Sequence, residues 1–374
     1  MLENSKVIVL GCSHSELALM HALKSSGVSL IGVGNLKTAL GRDICDDFHE
    51  FDYTDHMQLG VLARKVGASF IVSACNDYGF FAASKVSAEL GLCGYDNNEA
   101  VETIHYKDKF KALLERLNIP TPKRMFSGSI SELVGAWSDV GATLSPQKKY
   151  LFKPVDQGSG KGIAEIKRSS DVSEFSNSLA SMSRSDACLI EEHVAGTLHS
   201  YSAFIKDRQI VEDFMADEWL RENELVVDCS CYPSGLEDRI SKGLAEATTK
   251  MVRELALVDG LIHHQFIFDG ENYFLLETTR RNPGDLFGEQ ITLCDGKDYS
   301  NLLISTQFGL PLDHVEDAVE VKTGVWRKIY WSDESPDKDK FPPSNIIRVY
   351  DLSNQYPTEV QPKRNAVIFF QKSK

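Results

Sequence analysis

The chain has 374 residues, 42% hydrophobic and 25% charged, enough for two or three packed domains with a substantial core. No run of about 18 apolar residues occurs, which excludes a spanning helix, and residues 1–10 lack the basic and long apolar regions of a secretory signal. The formal net charge of −14 repels nucleic-acid backbones and anionic membranes, so neither is an expected partner, and any anion site must gather cations locally.

In chain order, Val7 to Leu10 reads as a strand and Ser15 to Ser26 as a helix with Leu17, Met20 and Leu23 on one face. Strands at Leu30 to Val33 and Phe70 to Val72 follow, then a helix from Gly79 to Leu90. This βαβ alternation predicts a parallel, doubly wound sheet. The turn after the first strand, Gly11-Cys-Ser-His-Ser-Glu16, is not G-x-G-x-x-G, so it reads as a structural Rossmann-like turn rather than a dinucleotide site. A helix from Lys107 to Leu117 ends at Ile119-Pro-Thr-Pro122, whose prolines mark a domain boundary. From Tyr150 to about Ile210, short strands around one helix (172–182) suggest a compact α+β module. Leu236, Ile240, Leu244, Ala247, Met251 and Leu255 then fall at helical spacing. A strand pair follows, Leu261 to Phe268 and Tyr273 to Glu277, joined around Asp269-Gly270. Beyond Leu312, Trp326, Trp331 and an acidic stretch at 332–344 predict a small β appendage. The eight cysteines are scattered. Their closest pair, Cys229 and Cys231, lacks C-x-x-C spacing, so zinc is not expected and a reducing cytoplasm is.

Four segments carry chemistry jointly, though each alone has a plain structural reading. Tyr150-Leu-Phe-Lys153 runs into a loop with Gly158, Ser159, Gly160, Lys161 and Gly162. Glycines let backbone N–H groups close on phosphate oxygens, and a strand-anchored lysine adds positive charge. Taken alone the segment is equally a hairpin with a glycine turn. Lys161 precedes Gly rather than Ser or Thr, so it is not a P-loop. Glu191 and Glu192 end an apolar strand, and Val194 lies in the connector that follows. A hinge of this kind can meet an adenine and a ribose, or be a solvated strand end. Gln265 and Glu277, near the ends of paired strands, offer oxygen ligands that suit Mg²⁺. Arg280 and Arg281, just beyond, could clamp a carboxylate or a transferring phosphoryl group. Lys107 opens its helix, where a lysine is more often simply solvated.

In this order and at these distances, the segments resemble the ATP-grasp superfamily, over roughly residues 5 to 310. The nearest patterns are those of biotin carboxylases, the large subunit of carbamoyl phosphate synthetases, and amino-acid ligases. The resemblance implies α/β and α+β architecture: a Rossmann-like pre-ATP-grasp domain (1–106), an ATP-grasp domain (107–312, with a lid at about 123–206), and a small C-terminal β-rich segment (313–374). It makes Lys107 and Lys153 the ATP lysines, Gly158 to Gly162 the glycine loop, and Glu191, Glu192 and Val194 the adenine–ribose hinge. Glu277 becomes the metal glutamate and Arg281 the arginine of the family's E-x-N-P-R. Three positions depart from the pattern: Thr279 stands for that motif's asparagine, Gln265 for its first metal acid, and His199 for a glutamate after the hinge glycine. Gln265 resembles carbamoyl phosphate synthetases, and His199 resembles biotin carboxylases. With one full carboxylate, Mg²⁺ (or Mn²⁺) should bind poorly without nucleotide.

What the resemblance implies is a carboxylate–amine ligase that passes through an acyl phosphate and releases ADP. A bicarbonate-activating enzyme and a nucleotide-binding regulator without turnover are the alternatives. The implied partners are a small carboxylate and an amine, with a homodimer common in the family. One geometric expectation follows. A two-residue Asp269-Gly270 turn would place Gln265 and Glu277 on opposite faces, so a shared metal site requires a three-residue loop, with Gly270 or Asn272 left-handed, or a compensating bulge.

Overall fold

The structure, a computed structural model, describes residues 5–158, 160–166, 185–222, 225–310, 322, 324–333, 344–353 and 364–372. The expected helix at 172–182, the candidate Ser159 and most of the acidic stretch lie outside the described residues.

The N-terminal strands β1 (Lys6–Leu10), β2 (Ser29–Gly34), β3 (Asp47–Glu50) and β4 (Ala68–Val72) form a parallel sheet in the order β3-β2-β1-β4. The continuous apolar run of β1 is explained by burial on both faces. Val7 and Val9 join one core, while Ile8 and Leu10 join another beneath α2 (His56–Val66) and α3 (Asp77–Leu90). Before α1 (Leu17–Ser25) the chain makes a 3₁₀ turn, His14–Glu16. Ser13 caps it, and the Glu16 carboxylate accepts from the Ser13 N–H at 2.7 Å. The second oxygen of Glu16 accepts from the Cys75 N–H at 2.7 Å, tying the turn after β1 to the turn after β4. That tie is what the departure from G-x-G-x-x-G supports.

After α4 (Asn98–His105) and α5 (Lys107–Arg116) comes a small antiparallel sheet of β5 (Arg124–Ser129), β6 (Tyr150–Pro154), β7 (Ala164–Ile166) and β8 (Ala187–Glu192), ordered β5-β8-β6-β7. With α6 (Ile130–Gly135) and α7 (Trp137–Thr143) it has its own core around Leu133, Phe152 and Ile190. The next strand, β9 (Thr197–Lys206), runs in a different sheet, so the small sheet stops at Glu192 rather than near residue 206.

That third sheet has eight strands. It contains β9, β10 (Gln209–Leu220), β11 (Val227–Tyr232), β12 (Gly260–Phe268), β13 (Tyr273–Thr279), β14 (Val325–Trp331), β15 (Ile346–Asp351) and β16 (Arg364–Gln371), in the order β13-β12-β9-β10-β11-β14-β16-β15. The C-terminal β-rich segment thus extends the central sheet, with Trp326 and Trp331 on β14. The amphipathic helix α8 (Asp238–Glu254) buries Ile240, Leu244 and Met251 against Tyr201, Ile262 and Phe266, and Phe110 of α5 joins the same core. Another continuous core runs from Val7 and Val9 through Phe204 and Tyr299 of α9 (Tyr299–Phe308) to Phe369, joining the parallel sheet to the eight-stranded one.

The β12–β13 hairpin corrects the expected loop. Phe268 pairs with Tyr273, and the Asp269 N–H donates to the Asn272 carbonyl, leaving a two-residue Gly270-Glu271 turn. Gly270 has φ +105°, and the Asp269 side chain accepts from the Glu271 and Asn272 N–H groups, which closes the turn locally. The even register is then broken by a bulge: Phe266 opposes Leu275, but Gln265 opposes Glu277. The extra residue, Leu276, restores the shared face.

Candidate active site

A cleft of 420 Å³ opens where the three sheets meet. One wall is the capped turn at Ser13 to Glu16 together with Cys75 to Asp77 at the start of α3. A second is the loop after β6, with Gly158 and Gly160, beside Lys107 at the start of α5. The floor carries Glu218, Gln265, Glu277 and Thr279 from β10, β12 and β13. Arg281, Arg327 and Arg364 close the far end. The basic Lys107, Arg281, Arg327 and Arg364 line the cleft together with the carboxyl groups of Glu16, Asp77, Asp156, Glu218, Glu277 and Asp285.

Lys107 is held at the loop twice. Its backbone N–H donates to the Val155 carbonyl at 3.1 Å, and its Nζ donates to the Gln157 carbonyl. Gly160 (φ +71°) is required: a Cβ there would lie 2.6 Å from the Leu225 Cβ and 2.7 Å from its carbonyl oxygen. Gly158 lies equally close to Asp77, with 2.6 Å from a built Cβ to Oδ2. Gly162 also has positive φ (+71°), and Lys161 is exposed.

Lys153 sits behind the cleft wall. It is 7% exposed and paired with Glu191, whose other oxygen takes Lys111 Nζ at 2.8 Å. Burial opposes ionisation of Glu191, but Lys153 and then Lys111 outweigh it and hold the carboxyl below its usual range. Lys111 also donates to Thr121 Oγ1 and the Pro122 carbonyl, so the Ile-Pro-Thr-Pro segment is anchored to the hinge. Glu192 turns outward to Lys148 at 2.6 Å, and Val194 is half-buried in the connector. His199 is buried off the cleft, with Nδ1 2.8 Å from Asp217 and its ring stacked on Phe266.

Arg280 and Arg281 part company. Both lie in the bend just past the end of β13 at Thr279, and their side chains diverge there. Arg281 points into the cleft, with Nε 2.7 Å from Asp77 Oδ1. Burial would raise the Asp77 carboxyl, but Arg281 and then His105 outweigh it and hold it at about 2. Arg280 is 4% exposed and away from the cleft, clamped by Asp96 (2.8 Å) and the Leu261 and Val258 carbonyls. That geometry corrects its expected place beside the reacting groups: Arg280 ties α4's approach to the central sheet.

Sequence reading missed Glu218, Lys111, Arg327, Arg364 and Asp285. Asp285 (φ +55°) receives Arg364 at 2.7 Å and His14 at 3.3 Å, and Arg327 donates to its carbonyl at 2.9 Å. These residues come from strands and turns far apart in the chain and carry no local motif. Only the Asn-Pro-Gly-Asp turn at 282–285 offered a signal.

The oxygen donors of Gln265 and Glu277, directly opposed on adjacent strands with Thr279 nearby, suit a small hard cation. The described residues hold no group of three or more His, Cys, Asp or Glu placed to bind a metal alone, so phosphate oxygens would have to complete the shell.

No protein-family model matches the chain. It is 23% identical over 313 residues to the formate-dependent phosphoribosylglycinamide formyltransferase of Prochlorococcus marinus (strain NATL1A), covering 83% of this chain and 78% of that one. The biotin carboxylase domain of Hydrogenobacter thermophilus 2-oxoglutarate carboxylase, solved with MgADP and bicarbonate, superposes with TM-score 0.77 at 18% identity (98% of this chain, 86% of that one). An L-amino acid ligase from Bacillus licheniformis superposes with TM-score 0.75 at 12% identity (99% and 94%). The chain has the ATP-grasp fold. In ATP-grasp terms, the cleft lies between the small sheet and the central sheet, and the capped turn after β1 faces it from the parallel sheet. Among the described residues no helix is long and apolar enough to cross a membrane.

Proposed function

We propose that the chain is an ATP-dependent carboxylate–amine ligase that forms an acyl phosphate, then an amide or peptide bond, releasing ADP and phosphate. The observation that carries this reading is the single cleft in which Lys107 and the glycine loop face the opposed pair Gln265 and Glu277, with Arg281 at its end. Residues 1–106 then supply the substrate-facing turns, and 107–312 the nucleotide site with its lid.

On this reading Lys107, Lys153 and the loop amides offset the phosphate charge, and Glu191 with the connector meets the adenine and ribose. Gln265, Glu277 and Thr279 would hold Mg²⁺ (or Mn²⁺), which when bound neutralises charge on the β- and γ-phosphates. Arg281, oriented by Asp77, lies where a carboxylate or the transferring phosphoryl group would be met. A carboxylate oxygen attacks the γ-phosphorus in line as the bond to the β,γ-bridging oxygen breaks. An amine nitrogen then attacks the acyl carbon, and phosphate departs. Catalysis of this kind is positioning and electrostatics, and an acyl phosphate must be kept from water to survive until the amine attacks.

An ADP-release assay over pairs of amino acids and small carboxylic acids tests the proposal. Release that requires both members of a pair is the expected result. Release that depends on bicarbonate would favour the second reading, a bicarbonate-activating enzyme, which Gln265 and His199 motivate. ATP bound with no ADP formed for any pair would overturn both.

A further inference from the structure

Glu218 shares no motif with Gln265 or Glu277, yet it reaches the same floor. It lies on β10, whereas Gln265 lies on β12, with β9 between them. Its side chain is buried (6% exposed), and its Oε2 accepts from Gln265 Nε2 at 2.8 Å. In the strand order β13-β12-β9-β10, Glu218 and Glu277 therefore flank Gln265 from opposite sides.

That placement has a chemical consequence for an amide. Gln265 has one end that can bind a cation, the carbonyl oxygen, and one that repels it, the NH₂ group. An amide held by nothing would populate both orientations. Glu218 accepts here through Oε2 and so engages the NH₂ end; burial pushes its carboxyl up, and the nearby Arg327 opposes that shift. With NH₂ drawn toward β10, Oε1 is left on the β13 side, where Glu277 is the register partner.

We propose that Glu218 is a positioning residue for the metal side of the nucleotide site: from two strands across the sheet it fixes the Gln265 amide with its carbonyl oxygen turned toward Glu277. Partners that orient a ligand in this way are worth about 10–100-fold in metal affinity. The inference rests on the reading of Gln265 and Glu277 as metal ligands, and the test separates the two.

The experiment measures Mn²⁺ binding to the full chain by electron paramagnetic resonance, alone and with a non-hydrolysable ATP analogue. Metal-free analogue affinity and thermal unfolding are followed in parallel. Glu218→Gln, nearly isosteric, should weaken Mn²⁺ binding about 10–100-fold while analogue affinity without metal stays at the wild-type value. The swapped variant E218Q/Q265E, which keeps one acid and one amide across the same hydrogen bond, should recover most of the loss. A merely structural role would give a fall in thermal stability that the swap does not repair. If E218Q does not fold, Glu218→Asp, which keeps the charge but withdraws it from Gln265, should show the same weakening. Wild-type Mn²⁺ affinity in the folded variant, or no recovery in the swap, overturns the role of Glu218. Glu277→Ala is the control. Lost Mn²⁺ affinity there with none lost in E218Q overturns this inference alone, whereas unchanged affinity in E277A overturns the metal site itself.

Discussion

Lys153 and Glu191 form a buried ion pair that Lys111 completes. Lys153 is almost enclosed, but Glu191 keeps a second partner in Lys111, so removing Lys153 does not strand an unpaired carboxylate. Lys153→Ala should therefore fold normally and lose about 1.5–3 kcal/mol of ATP binding, the range for a hydrogen bond to a charged group. Isothermal titration would check it, and a folded variant with wild-type affinity would remove Lys153 from the site. Glu277 stands differently: it is half-buried at the cleft floor and opposed to Gln265. Glu277→Ala should abolish turnover while sparing most nucleotide binding, read out by ADP release beside titration with the analogue. At Arg280 the outcome reverses. Truncating it leaves Asp96 buried without its counter-ion, though the Val258 N–H still donates to it, so Arg280→Ala should cost about 3–5 kcal/mol of stability, seen in denaturant unfolding. Were stability unchanged, Arg280 would return to consideration as a site residue.

Two elements set the geometry of the cleft, and both depend on backbone conformation. The β12–β13 hairpin makes a two-residue turn at Gly270-Glu271, which alone would put Gln265 and Glu277 out of register. The bulge at Leu276 corrects this, and Leu275 keeps its place in the core while Glu277 stays over the cleft. The glycine loop depends on Gly160, whose positive φ and close approach to Leu225 leave no room for a side chain. Gly160→Ala forces the loop away from Leu225 or strains it by about 1–2 kcal/mol. Nucleotide affinity should fall by a factor of about 5–30, if that strain is expressed in binding. Titration of the folded variant tests this, and unaltered affinity would mean that the loop geometry does not serve the nucleotide.

Across the whole molecule, the buried histidines couple folding to pH. Burial holds His264 at about 3 and His105 at about 4, against 6.5 for the unperturbed imidazole. His264 is satisfied as a neutral ring between Thr248 and Thr278. Below pH 6.5 the unfolded chain takes up protons that the folded chain refuses, so stability falls with decreasing pH. Each histidine contributes about 1.4 kcal/mol per pH unit in its window, 6.5 to about 4 for His105 and 6.5 to about 3 for His264. Denaturant midpoints at pH 7, 6 and 5 should decline, and more gently in His264→Gln. An equal slope in that variant would exclude His264 as the source.

The candidate site was legible in the sequence wherever one short segment supplies both the residue and its setting. Gly158 and Gly160 in the loop after β6, Glu277 with Arg281, and Lys107 ahead of the Ile-Pro-Thr-Pro turn each fall at a strand end or helix start that local patterning reveals, and all line the cleft, whereas Lys153 does not. The parallel βαβ alternation was equally legible, because apolar runs and helical spacing are local properties. Tertiary structure alone decided which of two adjacent arginines faces the cleft, since their partners, Asp96 for Arg280 and Asp77 for Arg281, come from distant parts of the chain. It also decided that the C-terminal strands complete the central sheet, a pairing between segments more than ninety residues apart. Glu218 is the clearest case. Nothing beside it in the chain marks it, and it gains its place only because a single strand, β9, lies between β10 and β12, so two long side chains on one face can meet across two strand spacings.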